Sequence, residues 1–241
     1  MISDLHLSFY PGADKPMDIF GSRWIEHAQR LERFWRESVK DTDTVVIPGD
    51  ISWAMKLEDA KYDLDWVAAL PGRKILLKGN HDLWWSGITR LNRLYDNMTF
   101  LQTDYMEVEG WYICGSRGWL TPDNDDYREE EDGKIYHREL LRLESSLQSA
   151  KRDWEAKADQ EKDGSRAPII GVLHYPPVSD PRRFSGFQQL FEDYGVKNVY
   201  YGHIHGEDGF RSCIRGNYHG IEYHLVSLDY LQCQPLRITG R

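Results

Sequence analysis

Nine residues, Lys74-Ile75-Leu76-Leu77-Lys78-Gly79-Asn80-His81-Asp82, constrain the fold of this chain more than any other stretch. Their apolar first half reads as a buried strand. The run breaks at Gly79 and then delivers an amide, an imidazole and a carboxylate in succession. In open α/β sheets, ligands gather beyond the carboxyl ends of the strands. A strand that ends this way presents metal-binding and proton-transferring groups to that edge. Taken alone, the stretch reads equally as a strand followed by a polar turn.

The same grammar recurs along the chain. Thr44-Val45-Val46-Ile47 is β-branched throughout and ends in Pro48-Gly49-Asp50. Gly49 permits a sharp turn, and the two oxygens of one carboxylate suit Asp50 to bridge two cations. The apolar run 169–173 ends in His174 and is stopped by Tyr175-Pro176-Pro177, because proline cannot donate to a ladder. The run 196–201 leads into Gly202-His203-Ile204-His205-Gly206. Imidazole is the commonest metal ligand, and the bracketing glycines give both rings room to turn toward one place. The chain opens on Asp4 and His6, two apart and so on one side of an extended segment. Only Met1 and Ile2 precede them as strand, which leaves room for a natural chain that begins earlier.

Composition narrows the partners. Lys and Arg number 30 against 39 Asp and Glu, a formal net charge of −9. That balance argues against a surface built for nucleic acid or anionic lipid. It still allows a small phosphorylated substrate, because a metal site supplies positive charge locally. No apolar run reaches the length of a membrane span. Cys114, Cys213 and Cys233 are widely spaced and form no Cys-x-x-Cys pair. They are expected as reduced thiols in a cytoplasmic protein, and nothing at the N-terminus marks it for secretion.

The rest reads as scaffold for these ends. A loop over 9–22 leads to a helix capped by Ser22, with Trp24, Ala28, Leu31, Phe34 or Trp35, and Val39 as its core-facing stripe. Helices are expected over 56–70, 88–95 and 187–194. Runs at 98–101, 105–108 and 111–114 suggest an antiparallel meander. Arg117, between Gly115 and Gly118, is a candidate phosphate contact, as are Arg182 and Arg183. Residues 121–133 read as an acidic loop over the site. From 134 a long helix carries Tyr136, Leu140, Leu143, Leu147, Ala150 and Trp154 as one stripe. Loop and helix together, 121–166, are expected within a single domain spanning 1–241. A hairpin of 210–214 and 218–227 is expected around Arg215-Gly216-Asn217, and 236–238 as a closing edge strand.

Ordered along the chain, the strand ends spell Asp-x-His, Gly-Asp, Gly-Asn-His-Asp, His and Gly-His-x-His. From Asp4 to His205 this set resembles the calcineurin-like metallophosphoesterases, a family of binuclear metal phosphohydrolases. The resemblance implies an α/β fold of the α+β type. It is a four-layer α/β/β/α sandwich of two mixed β-sheets flanked by helices, with the metal site at the strand C-terminal edge. It implies two metal ions, one on Asp4, His6, Asp50 and His205, the other on Asp50, Asn80, His174 and His203. It gives His81 as the catalytic histidine that binds no metal, and Asp82 as the group that orients it by accepting a hydrogen bond. The implied activity is hydrolysis of a phosphomonoester or phosphodiester of a small substrate by a metal-bridging hydroxide. The mixed N/O ligand set suits Mn, Fe or Zn. A nucleotide-linked pyrophosphatase and a non-catalytic scaffold keeping the same fold are the alternatives. Tyr175 stands where several nucleotide-handling relatives place a second histidine, which counts against a cyclic nucleotide.

Overall fold

The structure, a computed structural model, describes residues 1–158, 168–180 and 183–238. The first half lays α1 (His27–Ser38), β1 (Thr44–Ile47), α2 (Leu57–Ala68), β2 (Arg73–Leu76), α3 (Ile88–Leu91) and β3 (Met98–Phe100) in order. Strands β1-β2-β3 form one sheet, parallel throughout. The second half supplies β4 (Tyr105–Val108), β5 (Trp111–Ser116), α4 (Glu129–Ala158), β6 (Ile169–Leu173), α5 (Gly186–Asp193) and β7 (Asn198–Tyr201). It closes with α6 (Gly206–Ser212), β8 (Gly216–Tyr218) and β9 (Ile221–Leu225). These strands form a six-stranded mixed sheet in the order β4-β5-β6-β7-β9-β8. Of the two sheets expected to be mixed, only this one is.

The layering follows from the period of two along each strand. In the first sheet Val45, Ile47 and Leu76 pack outward with Leu31 and Trp35 of α1 and Leu64 of α2. Val46, Ile75 and Leu77 point the other way and meet Ile113, Ile170, Val172 and Tyr200 of the second sheet. On that sheet's outer face Cys114, Leu173, Val199 and Tyr201 pack with Leu143 and Leu147 of α4 and with Phe187 and Phe191 of α5. The central strands β1, β2, β6 and β7 are buried on both faces for most of their length and show no alternation, whereas β9 alternates buried and half-buried residues. The result is the four-layer arrangement, with β1, β2, β6 and β7 all ending in short polar turns.

Local departures have local causes. Glu26, not Ser22, precedes the first turn of α1, and α3 is shorter than expected. Helix α4 begins at Glu129 inside the presumed acidic loop, because Glu129, Glu130, Glu131 and Asp132 favour the positive end of a helix dipole. Asp132 also accepts the Trp119 indole N–H at 2.8 Å and the Arg128 N–H at 2.8 Å, which pins that start. Of the span 121–166, residues 159–166 lie outside the described residues. The expected meander is split: β4 pairs antiparallel with β5, but β3 pairs parallel with β2 in the other sheet. Residues 210–212 belong to α6, and the hairpin is β8–β9, turning at His219-Gly220. The segment 236–238 forms no strand; Leu236 instead exchanges backbone hydrogen bonds with Met1. Among the described residues, no helix is long and apolar enough to cross a membrane.

Candidate metal centre

All seven expected ligand residues converge at the ends of β1, β2, β6 and β7 and on the opening segment. Ligand atoms of Asp4, His6 and His205 lie within 4.8 Å of one another, and so do those of Asp50, His174 and His203. Asp50 reaches both groups: its Oδ2 lies 3.8 Å from His6 Nε2 and 3.4 Å from His174 Nε2. Its other oxygen accepts the His81 N–H at 2.8 Å.

The backbone that aims these groups is not extended. Asp4, His6, Asp50 and His203 have φ of 61°, 45°, 51° and 69°, the left-handed region that L residues seldom occupy. Asp4 and His6 therefore do not share a side by strand alternation, as the sequence suggested. The opening strand amounts to an isolated bridge, Ser3 to Ser227, after which the chain turns. Gly79 is required for a different reason. A Cβ there would sit 2.0 Å from Asp50 Oδ1 and 2.2 Å from Asp50 N, so the loops after β1 and β2 touch through bare backbone.

The donor set fits cations. His174 Nδ1 donates to Pro48 O at 2.9 Å. In a neutral ring its Nε2 is then a lone pair, 2.7 Å from Asn80 Oδ1 and 3.4 Å from Asp50 Oδ2. His205 repeats the pattern, with Nδ1 on Asp229 Oδ1 at 2.9 Å and Nε2 3.5 Å from Asp4 Oδ1. Acceptors that face acceptors need a proton or a cation between them. Separations of 3.4–3.8 Å suit ligands sharing one ion at bond lengths of about 2.0–2.2 Å.

The proton affinities follow the same logic. Burial alone would raise Asp4, yet His205 and His174 hold it down at about 2. Burial likewise opposes the ionisation of Asp50, and His174 and His6 pull it far below the usual carboxylate range. Burial pushes His6 down to about 4 and His203 to about 3, which leaves neutral imidazoles ready to ligate. His205 is raised to about 10 against its burial, by Asp4 and Asp229. His174 is raised too, by Asp50.

His81 stands over this centre. Its ring is tilted beneath Trp53, 4.2 Å between centroids, and meets His6 edge-on at 5.6 Å. Burial lowers its pKa, against the pull of Asp50. Asp82 does not orient it. The Asp82 carboxylate accepts the N–H groups of Gly79, Ile51 and Ser52 and the indole N–H of Trp84. It thereby clamps the two loops that carry Asp50 and Asn80. Burial and the Asp50 charge push its pKa up to about 7.

The arginines divide. Arg117 is not a surface residue: its side chain is 13% exposed and faces Glu139. Arg183 is exposed in the loop after β6, and Arg182 lies outside the described residues. Asp229 escaped the sequence reading. It is buried, and it accepts from His205 Nδ1 and, at 3.1 Å, from Gly206 N. This carboxylate fixes the ring so that Nε2 faces Asp4, the role that partners of metal-bound imidazoles commonly play. A signal existed: the alternating strand β9 continues through Leu225-Val226-Ser227-Leu228 and also ends in a carboxylate, Asp229. Asp229→Asn is expected to weaken metal binding about 10–100-fold. Calorimetric titration checks this, and unchanged affinity would make Asp229 a helix cap only.

The comparisons with known proteins bear on the family and the fold. The gene 66 proteins of Mycobacterium phages D29 and L5 are each 38% identical to this chain, over 110 and 82 residues respectively. Those matches cover 44% and 33% of the chain, and it spans 50% and 37% of the relatives' own lengths. A crystal structure of a protein of unknown function from Aquifex aeolicus superposes with a TM-score of 0.51 at 18% identity. It covers 98% of this chain and 92% of its own, which shows a common fold. The sequence profile of the calcineurin-like phosphoesterases matches residues 1–207, from the opening Asp-x-His through Gly-His-x-His, and the chain belongs to that family.

Proposed function

We propose that this protein is a binuclear metal-dependent phosphohydrolase that cleaves a phosphomonoester or phosphodiester bond of a small substrate. The observation that carries the reading is Asp50, whose one carboxylate reaches both ligand groups while its other oxygen anchors His81. Asp4, His6, Asp50 and His205 would hold one cation, and Asp50, Asn80, His174 and His203 the other. Bound there, Mn, Fe or Zn would polarise a phosphoryl group and make hydroxide available near neutral pH.

The chain's own groups supply the remainder. Asp82 holds the loops after β1 and β2 in register, so that Asp50 and Asn80 keep their spacing. Asp229 and Pro48 O fix the tautomers of His205 and His174. His81, whose ring makes no hydrogen bond among the described residues, supplies an N–H to the leaving oxygen.

The purified protein with Mn²⁺ is expected to hydrolyse bis-(p-nitrophenyl) phosphate or p-nitrophenyl phosphate. Turnover of neither, with both metals shown to be bound, would overturn the proposal. His81→Ala is expected to lower kcat by roughly 10²–10⁴-fold, the usual worth of a positioned proton donor, while metal content stays constant. An undiminished rate would remove His81 from the chemistry.

A further inference from the structure

Beside the metal centre lies a group of charges that the reaction described above does not use. Arg117, Arg138 and Arg142 approach one carboxylate, Glu139, whose side chain is fully buried, and Lys78 interacts electrostatically with the same group. Four cations around one anion is a concentrated positive field in a chain of net charge −9. Glu139 Oε1 accepts from Arg142 at 2.8 Å, whereas Arg117 and Arg138 stand off at 3.5 Å and 3.6 Å, and Glu139 Oε2 has no hydrogen-bond partner among the described residues.

Arg117 approaches Glu139 without a hydrogen bond. Its nearest approach to Glu139 is 3.5 Å, it makes no side-chain hydrogen bond among the described residues, and its buried Nε has no partner. A guanidinium carries five donors in a rigid fork. Buried polar groups are rarely left without partners, and an exception calls for an explanation.

The position of Arg117 supplies one. Its carbonyl accepts the N–H groups of both His174 and Tyr175, so its backbone is fixed to a candidate metal ligand. Its guanidinium lies 4.4 Å from the Trp119 ring, Trp119 packs on Tyr175 at 5.1 Å, and Tyr175 lies 4.0 Å from the His203 ring. Lys78 comes from the other sheet, immediately before Gly79-Asn80, and belongs to the same electrostatic group as Arg117. Arg117 and Lys78 are thus tied to the two segments, one from each sheet, that carry His174 and Asn80.

We propose that Arg117 and Lys78 form an anion subsite for a second acidic group, a phosphate or carboxylate, on the molecule whose ester is cleaved. The proposal names a substrate class for the function proposed above and rests on that reading. The binding of the anion itself needs neither metal nor turnover.

The test begins with metal-free protein and inorganic phosphate, followed by calorimetry. Wild type is expected to bind phosphate at millimolar concentration. Arg117→Gln, which retains a planar group over Trp119, is expected to bind it roughly tenfold to a hundredfold less tightly, the worth of one charge-assisted hydrogen bond. Equal binding by the two proteins, or none by wild type, overturns the subsite. Should Arg117→Gln fail to fold, Lys78→Gln decides, with reduced affinity in favour and unchanged affinity against. In the metal-loaded enzyme, the kcat/KM ratio of adenosine 3′,5′-bisphosphate to adenosine 3′-monophosphate is expected to exceed one. It should fall toward one in the Arg117 variant, and an unaltered ratio tells against the proposal. A protein inactive toward both esters that still loses phosphate binding through Arg117→Gln would keep the subsite and remove the hydrolase.

Discussion

Asp50→Ala is expected to abolish the binding of both cations together. Metal analysis after dialysis should fall from about two equivalents per chain to about none, because each ion would lose a shared anionic ligand. Asp50 Oδ2 lies within 3.8 Å of the Nε2 atoms of both His6 and His174, whereas Asp4 approaches His174 only at Nδ1, which is spent on Pro48 O. His203→Ala should instead spare the ion on Asp4, His6 and His205. Stability gives a second readout. A ligand that binds only the native state stabilises it by about 2.7 kcal/mol at a concentration a hundred times its Kd. The rise in Tm on adding Mn²⁺ to wild type should therefore vanish in Asp50→Ala. Loss of one ion with retention of the other would refute the bridging role and, with it, the binuclear mechanism.

Gly79→Ala tests the same junction through the backbone. The added methyl would meet Asp50 N at 2.2 Å and Asp50 Cγ at 2.8 Å. Neither loop can retreat freely, since Asp82 holds Gly79 N at 2.8 Å and Ile51 N at 2.9 Å. The two loops must separate, at a cost of about 3 kcal/mol, the upper range for forcing a methyl into a packed site. Asp50 and Asn80 then part, and metal affinity goes with them. Gly87→Ala is the control, because a Cβ there meets nothing within 4 Å and the backbone needs no positive φ. Urea melts and metal titration of the two variants should differ sharply; similar results would mean that the contact yields easily.

Much of the centre was readable before any coordinates, for a physical reason. Thr44–Ile47 and Ile169–Leu173 are buried on both faces, so they stand out as apolar runs, and the polar residue just past each run, Asp50 or His174, is the one delivered to the edge. What stayed hidden depends on the third dimension. Met98–Phe100 has strand composition, but nothing local says which sheet receives it. Phe210 resembles a strand residue, yet it lies on a helix whose first N–H is capped by the distant Asp229. Asp82 follows His81 in the chain and serves backbone donors rather than the neighbouring ring. Arg117 was legible as a basic residue between glycines, but its burial against Glu139 was not.

The left-handed backbone at Asp4, His6, Asp50 and His203 has an evolutionary consequence. Each such residue holds its chain segment roughly 1–2 kcal/mol above its resting conformation. Glycine would relax every one of these positions, and each relaxation would delete a ligand. Selection of random variants for heat resistance alone should therefore drift toward glycine at these four codons, yielding sturdier proteins that no longer hold cations. Selection that also demands activity should leave all four untouched.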